Sequence, residues 1–357
     1  MSGIRDRIQT VVTQCTFVVA AGLLAGPPLY AQVSASTVLA PSMLRALMQH
    51  PEAATQLPDG RWLRIESQHV ILADPARSAK DRVIPLPATR IGASAVVLPD
   101  GKILIWGGTD TFGQLQPGGW WFDATTSRFA AATGTGLSPV AGQNMTVLSN
   151  GDVLVAGGRD TSTRDAERLR LWHPTLGTVT PVATTFPARL APVAALQRDG
   201  TVALSGGFDT QGKTLGETQR FDPTTQALTT VDQVTSDATK ISVASSLPVA
   251  DSDNIPADTL ISMRFTRPVD PKSITAATIS LIGPAGPVEA TVAAVQDGRL
   301  AFITPKEDLL TGTHYTVALA GVRARDGQAL PFTSFGFRTT ELDKAAEDSE
   351  AANSASA

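Results

Sequence analysis

One five-residue phrase occurs three times in this chain: Gly-Gly-Thr-Asp-Thr from Gly107 to Thr111, Gly-Gly-Arg-Asp-Thr from Gly157 to Thr161, and Gly-Gly-Phe-Asp-Thr from Gly206 to Thr210. A turn pair precedes each copy (Asp100-Gly101, Asn150-Gly151, Asp199-Gly200), and apolar runs flank each pair. Asp-Gly or Asn-Gly between two apolar runs is the strongest short-range hairpin signal, because both central residues must accept a positive φ. After a variable loop comes an aromatic strand, ending at Phe122, Trp172 or Phe221. A further turn leads to a fourth short strand near Phe129, Val179 and Leu228. The repeat unit is therefore four strands recurring about every 50 residues, a period that excludes the shorter tandem-repeat classes.

The pattern resembles the kelch-type β-propeller blade. Its carriers are Gly107-Gly108, Gly157-Gly158 and Gly206-Gly207, together with Phe122, Trp172 and Phe221. The resemblance implies that each glycine pair ends the second strand and that the aromatic packs between neighbouring blades. Leu57-Pro58-Asp59-Gly60-Arg61-Trp62-Leu63 echoes the hairpin without a glycine pair. It is read as a degenerate first blade, with outer strands at Val70–Asp74 and Val83–Leu86. Residues 56–236 thus form a kelch-like repeat domain of about four blades. Related propellers usually close with six or seven, and an open fan leaves apolar faces uncovered. A small closed ring, self-association of two chains to complete the propeller, or an open stack capped by flanking segments would each cover them. The sequence leaves these open.

The glycine pairs stop near Thr235–Ile241, and about seven short strands separated by Pro and Asp-Gly turns follow. That is the pattern of an Ig-like sandwich. The order of phrases over 243–340 resembles the bacterial Ig-like domain of S-layer and other surface proteins. Its carriers are Ser245-Ser246-Leu247-Pro248, Asn254-Ile255-Pro256, Phe265 before Arg267-Pro268-Val269-Asp270, and Tyr315 ahead of Asp326-Gly327. This domain is placed at 241–340, and the resemblance implies a spacer or adhesive unit. The expected fold class is all-β: kelch-like blades followed by a β-sandwich.

Residues 1–31 read as a secretory signal peptide. Arg5 and Arg7 form the basic start, Thr16–Leu24 is apolar but too short to span a bilayer, and Gly26-Pro27-Pro28 breaks it. Cleavage after Ala31 is the reading adopted, with a retained anchor as the alternative. Residues 32–55 are a lead-in in which Pro41-Ser42 can start a short helix carrying Met43, Leu44, Leu47 and Met48. Residues 341–357 are an acidic, Ser/Ala-rich tail with the composition of a disordered segment. Cys15, the one cysteine, lies in the leader, so no disulfide is expected after cleavage. A net charge of −4 without a basic patch argues against nucleic acid. No membrane span is expected once the leader is removed. Together these features suit secretion or the cell envelope of a bacterium.

Candidate chemistry is sparse. Gly207–Thr214 matches the phosphate-binding loop pattern, but that mechanism needs a helix after the loop, and Leu215–Thr218 leads straight into an aromatic strand. Asp110, Asp160 and Asp209 recur at one position and either close a turn or ring a ligand site. Asp251, Asp253, Asn254 and Asp258 hint at a calcium loop that lacks its glycine. His50, His69, His173 and His314 are scattered. Kelch-like propellers joined to Ig-like domains also occur in secreted copper oxidases, whose site needs tyrosine, histidine and a cysteine crosslink. Here Tyr315 is the only tyrosine left after cleavage and no cysteine remains. Trp120-Trp121-Phe122, with Trp106, is the best candidate contact surface, read as an exposed aromatic strand. No catalytic, cofactor-binding or metal-ligating residue is assigned, and no cofactor is expected. The function expected is a surface or extracellular binding module for a protein or glycan. One alternative is a secreted carbohydrate-active enzyme using Asp110, Asp160 and Asp209 as acids. A truncated part of a longer surface or toxin-like protein is the other.

Overall fold

Each predicted hairpin belongs to a four-stranded antiparallel sheet. A computed structural model describes residues 54–75, 81–160, 168–209, 211–231 and 237–341; the leader, the lead-in through residue 53 and the tail beyond 341 lie outside the described residues. The first sheet is β1 (Thr55–Gln56), β2 (Trp62–Glu66), β3 (His69–Ala73) and β4 (Arg82–Pro85). The second is β5 (Ile91–Val97), β6 (Ile103–Thr109), β7 (Gly119–Asp123) and β8 (Arg128–Ala132). The third is β9 (Ala141–Val147), β10 (Val153–Arg159), β11 (Arg168–His173) and β12 (Thr178–Thr185). The fourth is β13 (Val193–Leu196), β14 (Val202–Ser205), β15 (Gln219–Asp222) and β16 (Ala227–Thr230). Strand order within each sheet follows chain order. The inner strands pack in sequence, with β5 against β2 and β9, and β9 against β13. Phe122, Trp172 and Phe221 are buried in the core that runs through the four sheets.

The glycine pair joins one sheet to the next. Gly108 N–H donates to the Val140 carbonyl at 2.7 Å, and Gly158 N–H to the Arg189 carbonyl at 2.9 Å. Both acceptors stand just before the first strand of the following sheet. The first glycine of each pair lies directly beneath that carbonyl: a Cβ on Gly107 would collide with Val140, and one on Gly157 with Arg189. Positive φ (81° and 67°) adds a second reason for glycine. Gly206 occupies the same place in the fourth sheet, yet no described residue stands within 4 Å of a Cβ built there.

Among the described residues no further repeat sheet packs on the fourth, and its outward face is built differently. In the second sheet the paired residues facing the third are Ser94 with Trp106, and Val96 with Leu104 and Trp121. The fourth sheet has Val193 with Ser205, and Ala195 with Ala203 and Arg220, in those positions. Arg220 reaches across to Thr201 Oγ1 (3.1 Å) and Asp199 Oδ2 (2.6 Å). Small and polar residues on the outer face are how a terminal repeat stays soluble.

The C-terminal domain is a sandwich of nine strands where about seven were expected. One sheet holds β17 (Val243–Leu247), β19 (Ile261–Phe265), β23 (Leu300–Pro305) and β22 (Ala290–Val295), in that order. The other holds β18 (Ser252–Ile255), β25 (Thr333–Thr339), β24 (His314–Leu319), β20 (Ile279–Gly283) and β21 (Gly286–Pro287). The two additional strands, β18 and β21, are short edge pieces; β18 runs parallel to β25. Ile261, Met263, Phe265, Ala301 and Ile303 point into the sandwich core.

Much of the opposite face of β19, β22 and β23 is buried as well. Val295, Leu300 and Phe302 belong to the core of the repeats, and each is at most 1% exposed. The repeats meet this sheet through their first hairpin turns. Ser262 Oγ donates to the Ser149 carbonyl (2.5 Å), Arg264 Nε to the Arg198 carbonyl (2.9 Å) and Thr304 Oγ1 to the Pro99 carbonyl (3.4 Å). At the first sheet Arg325 bonds Gln56 Oε1 and lies 5.8 Å from the Trp62 ring centroid. Gly60, Gly101, Gly151 and Gly200, the turn glycines, abut Lys272, Ala293, Leu260 and Arg264.

Alanine at Gly107 or Gly157 meets both the φ penalty and a backbone collision, and is expected to destabilise by about 3 kcal/mol or more. Gly206→Ala meets only the φ penalty, about 1 kcal/mol. Urea unfolding of the three variants would read this order, and equal losses would refute the stitching role.

Candidate functional site

The second and third hairpin turns stand apart from the Ig-like sheet on one side, leaving an open cleft of about 610 Å³. Trp121 and Pro99 form the wall from the second sheet, Asp152 and Leu176 that from the third. Leu260, Asp258, Glu307 and Asp308 close it from the Ig-like domain. Trp121 is there because adjacent strand residues face opposite ways. Its cross-strand partner on β8 is Ala130, whose methyl leaves the indole half uncovered. Trp120 points to the other face, under the Arg90 guanidinium (4.5 Å to the ring centroid) and edge-on to Phe129. The expectation of an exposed aromatic strand is thus corrected: Trp106 is 4% exposed, Trp120 and Trp121 are half-buried, and Trp121 alone of the three lines the cleft.

The carboxylates of the cleft fall into two groups. Asp100 pairs with Lys102 Nζ (2.7 Å), and Asp152 is held by His173 Nδ1 and Asn150 Nδ2, each at 2.7 Å. Asp258, Glu307 and Asp308 are exposed and have no ion-pair or hydrogen-bond partner among the described residues. The cleft is thus an aromatic and aliphatic trough with an unneutralised acidic rim.

The three recurring aspartates lie at the far end of the second strands, away from the Ig-like domain. Asp110 Oδ1 accepts the N–H groups of Phe112 (2.8 Å) and Gln114 (2.9 Å). Asp209 Oδ1 accepts those of Gln211 (2.8 Å) and Lys213 (2.9 Å). Both side chains close the loop that contains them. Asp160 is buried, 3.5 Å from Arg170. Ile91, Leu115, Ala141, Leu190 and Phe208 form a small separate apolar cluster at this end of the sheets. The N–H groups of Lys213 and Gln211 hold the Asp209 carboxyl below its ordinary range, the opposite of what a general acid requires.

The phosphate-loop look-alike is the same closed loop: Lys213 N–H is turned toward Asp209, Phe208 bridges to Leu190, and β15 begins at Gln219 with no helix between. Its Thr210 lies outside the described residues. Ser252–Ile255 is a sheet edge, with Asp258 apart in the cleft. No group of three acidic, histidine or cysteine side chains that could hold a metal occurs among the described residues. His69 and His314 sit in separate strands, and His50 lies outside the described residues.

Two buried arginines escaped the sequence reading. Arg90 donates to the carbonyls of Gly107 (3.2 Å), Gln116 (3.0 Å), Pro117 (3.0 Å) and Gly118 (3.2 Å), and burial draws its pKa down to about 10. Arg189 repeats the device on Gly206 (2.9 Å) and Glu217 (3.0 Å). Their signal was present: each arginine stands just before the first strand of its unit, as Arg90-Ile91 and Arg189-Leu190.

Residues 237–339 match the family model described as the bacterial Ig-like domain, and that segment is one. No curated protein matches the chain. Solved structures similar to it include a fungal alcohol oxidase in complex with copper, at 13% identity over 81% of this chain and 85% of that one, TM-score 0.35. Another is the S-layer protein rSbsC, at 20% identity over 29% of this chain and 14% of that one, TM-score 0.24. At these scores neither likeness speaks to chemistry.

Arg90→Met leaves four carbonyls without their donor and is expected to destabilise by about 3 kcal/mol, read as a lowered urea midpoint. Asp209 predicts a pH effect of known sign. Its folded-state pKa is depressed, so its stabilising contribution is present above the unfolded value of 3.8 and is lost as pH falls through the lower folded one. Asp209→Ala is therefore expected to melt below the parent at neutral pH, with the gap closing in acid.

Proposed function

We propose that this chain is an exported bacterial surface or extracellular binding module without catalytic activity of its own. The cleft carries the reading: much of its wall is an indole and aliphatic side chains, and its rim carboxylates Asp258, Glu307 and Asp308 have no hydrogen-bond or ion-pair partner among the described residues. Such a lining recognises a ligand through shape, stacking and charge. Under this reading the four sheets are blades of an incomplete kelch-type propeller, and the Ig-like domain is their base. The ordered stitching of Gly108 and Gly158 to the next sheet supports it. The small side chains and Arg220 on the outer face of the fourth sheet support a stack that ends there. Export rests on the leader of residues 1–31, and the ligand would be a protein or glycan at the cell surface.

The carbohydrate-active enzyme is the rival, and its three acids are engaged elsewhere: Asp110 and Asp209 in closing loops, Asp160 beside Arg170. Expression in a bacterial host is expected to yield a chain starting at Gln32 outside the cytoplasm, with no turnover on glycosidase or alcohol-oxidase substrate panels. Turnover abolished by Asp110→Asn with Asp209→Asn would establish the enzyme instead.

A further inference from the structure

Resting on that reading, we infer that the cleft takes a basic peptide segment in which cationic side chains alternate with aliphatic ones. Charge complementarity selects the cation. Lys102 is already engaged with Asp100, and Asp152 with His173 and Asn150, so the carboxylates left open to a ligand's cation are those of Asp258, Glu307 and Asp308. An anionic polymer, a teichoic acid or a nucleic acid, would face three carboxylates with no unpaired cation opposite them, and such like-charge juxtaposition is strongly unfavourable.

The apolar half selects a peptide over a sugar. Saccharides are held by stacking on open aromatic faces, and here the aromatic surface is one half-covered indole. The rest of the apolar wall is aliphatic: Pro99, Leu260, and Leu176, which is 73% exposed. An isolated leucine so exposed at a cleft mouth is suited to covering an aliphatic side chain. The trough lies between two fixed walls, the hairpin turns on one side and the Ig-like strands on the other. An extended chain laid along it presents alternate side chains to opposite walls. Leucines or valines would meet Trp121 and Leu176, while lysines or arginines would meet the Ig-like rim. Exposed pairs are individually weak, so affinity requires both halves of the cleft together and falls as salt rises.

The test uses a short peptide of alternating lysine and leucine, its glutamate–leucine counterpart, and chitosan and chitin oligosaccharides, each titrated calorimetrically into the purified chain. The lysine–leucine peptide is expected to bind and the glutamate–leucine peptide not to. Asp258→Asn, Glu307→Gln and Asp308→Asn together should weaken binding roughly tenfold, since each replaces one exposed ion pair. These positions are exposed, so the melting temperature is expected to stay that of the parent. Trp121→Phe tests the apolar half, and raising salt from about 50 to about 500 mM should weaken the complex several-fold. No binding of the lysine–leucine peptide, or binding unchanged in the triple variant, overturns the proposal. Saccharide binding that depends on Trp121, without peptide binding, also overturns it while leaving the binding-module reading intact. Turnover on the substrate panels with no cleft ligand removes both.

Discussion

A small sheet has two faces, and water must be kept from the apolar side of each. Four strands cannot do this alone, so every sheet here depends on a neighbour. The second and third have one on either side. Among the described residues the first and fourth do not; Arg220, Ser205 and small side chains form the end face of the fourth, and the Ig-like domain lies across the hairpin turns of all four sheets. Phe302, Leu300 and Val295 belong by sequence to the sandwich and by burial to the repeats. The central strands of that Ig-like sheet are thus buried on both faces, one side by the sandwich and the other by the repeats.

Much of this was legible in the sequence because its signals are local. Asp100-Gly101 and its equivalents declare hairpins, and alternation in Trp120-Trp121-Phe122 declares a strand. Even the degenerate first unit was readable from Pro58-Asp59-Gly60. The uninterrupted apolar run Leu300-Ala301-Phe302-Ile303 is what a strand buried on both faces looks like, since a sandwich strand with a wet side alternates, but it was read only as a sandwich strand. What covered the second face could not be read, because Pro99 and Thr304 are joined across 205 positions. The cleft was invisible for the same reason: its walls come from three sheets. Trp120 and Trp121 misled because exposure depends on what crosses a strand, here Arg90 on one side and Leu104 and Ala130 on the other.

The aspartates teach a related lesson. Recurrence at one position in each unit suggested a ring of acids, and recurrence is real. What recurs at Asp110 and Asp209 is a loop geometry in which a carboxylate gathers two backbone N–H groups. Repeats copy their structural fittings as faithfully as any site. The distinctive surface therefore lies where the copies differ: Trp121 has leucine and arginine as its counterparts, Leu171 and Arg220.

The placement of β25 bears on how this chain carries tension. It is an inner strand, paired along six residues with β24 and flanked on its other side by parallel β18. A pull directed along β25 from its C-terminal end acts at right angles to its ladder bonds. Those bonds must then yield together in shear; they cannot open one after another like a zip. A molecule tethered through that end and pulled along the strand would hold its load up to a sharp threshold.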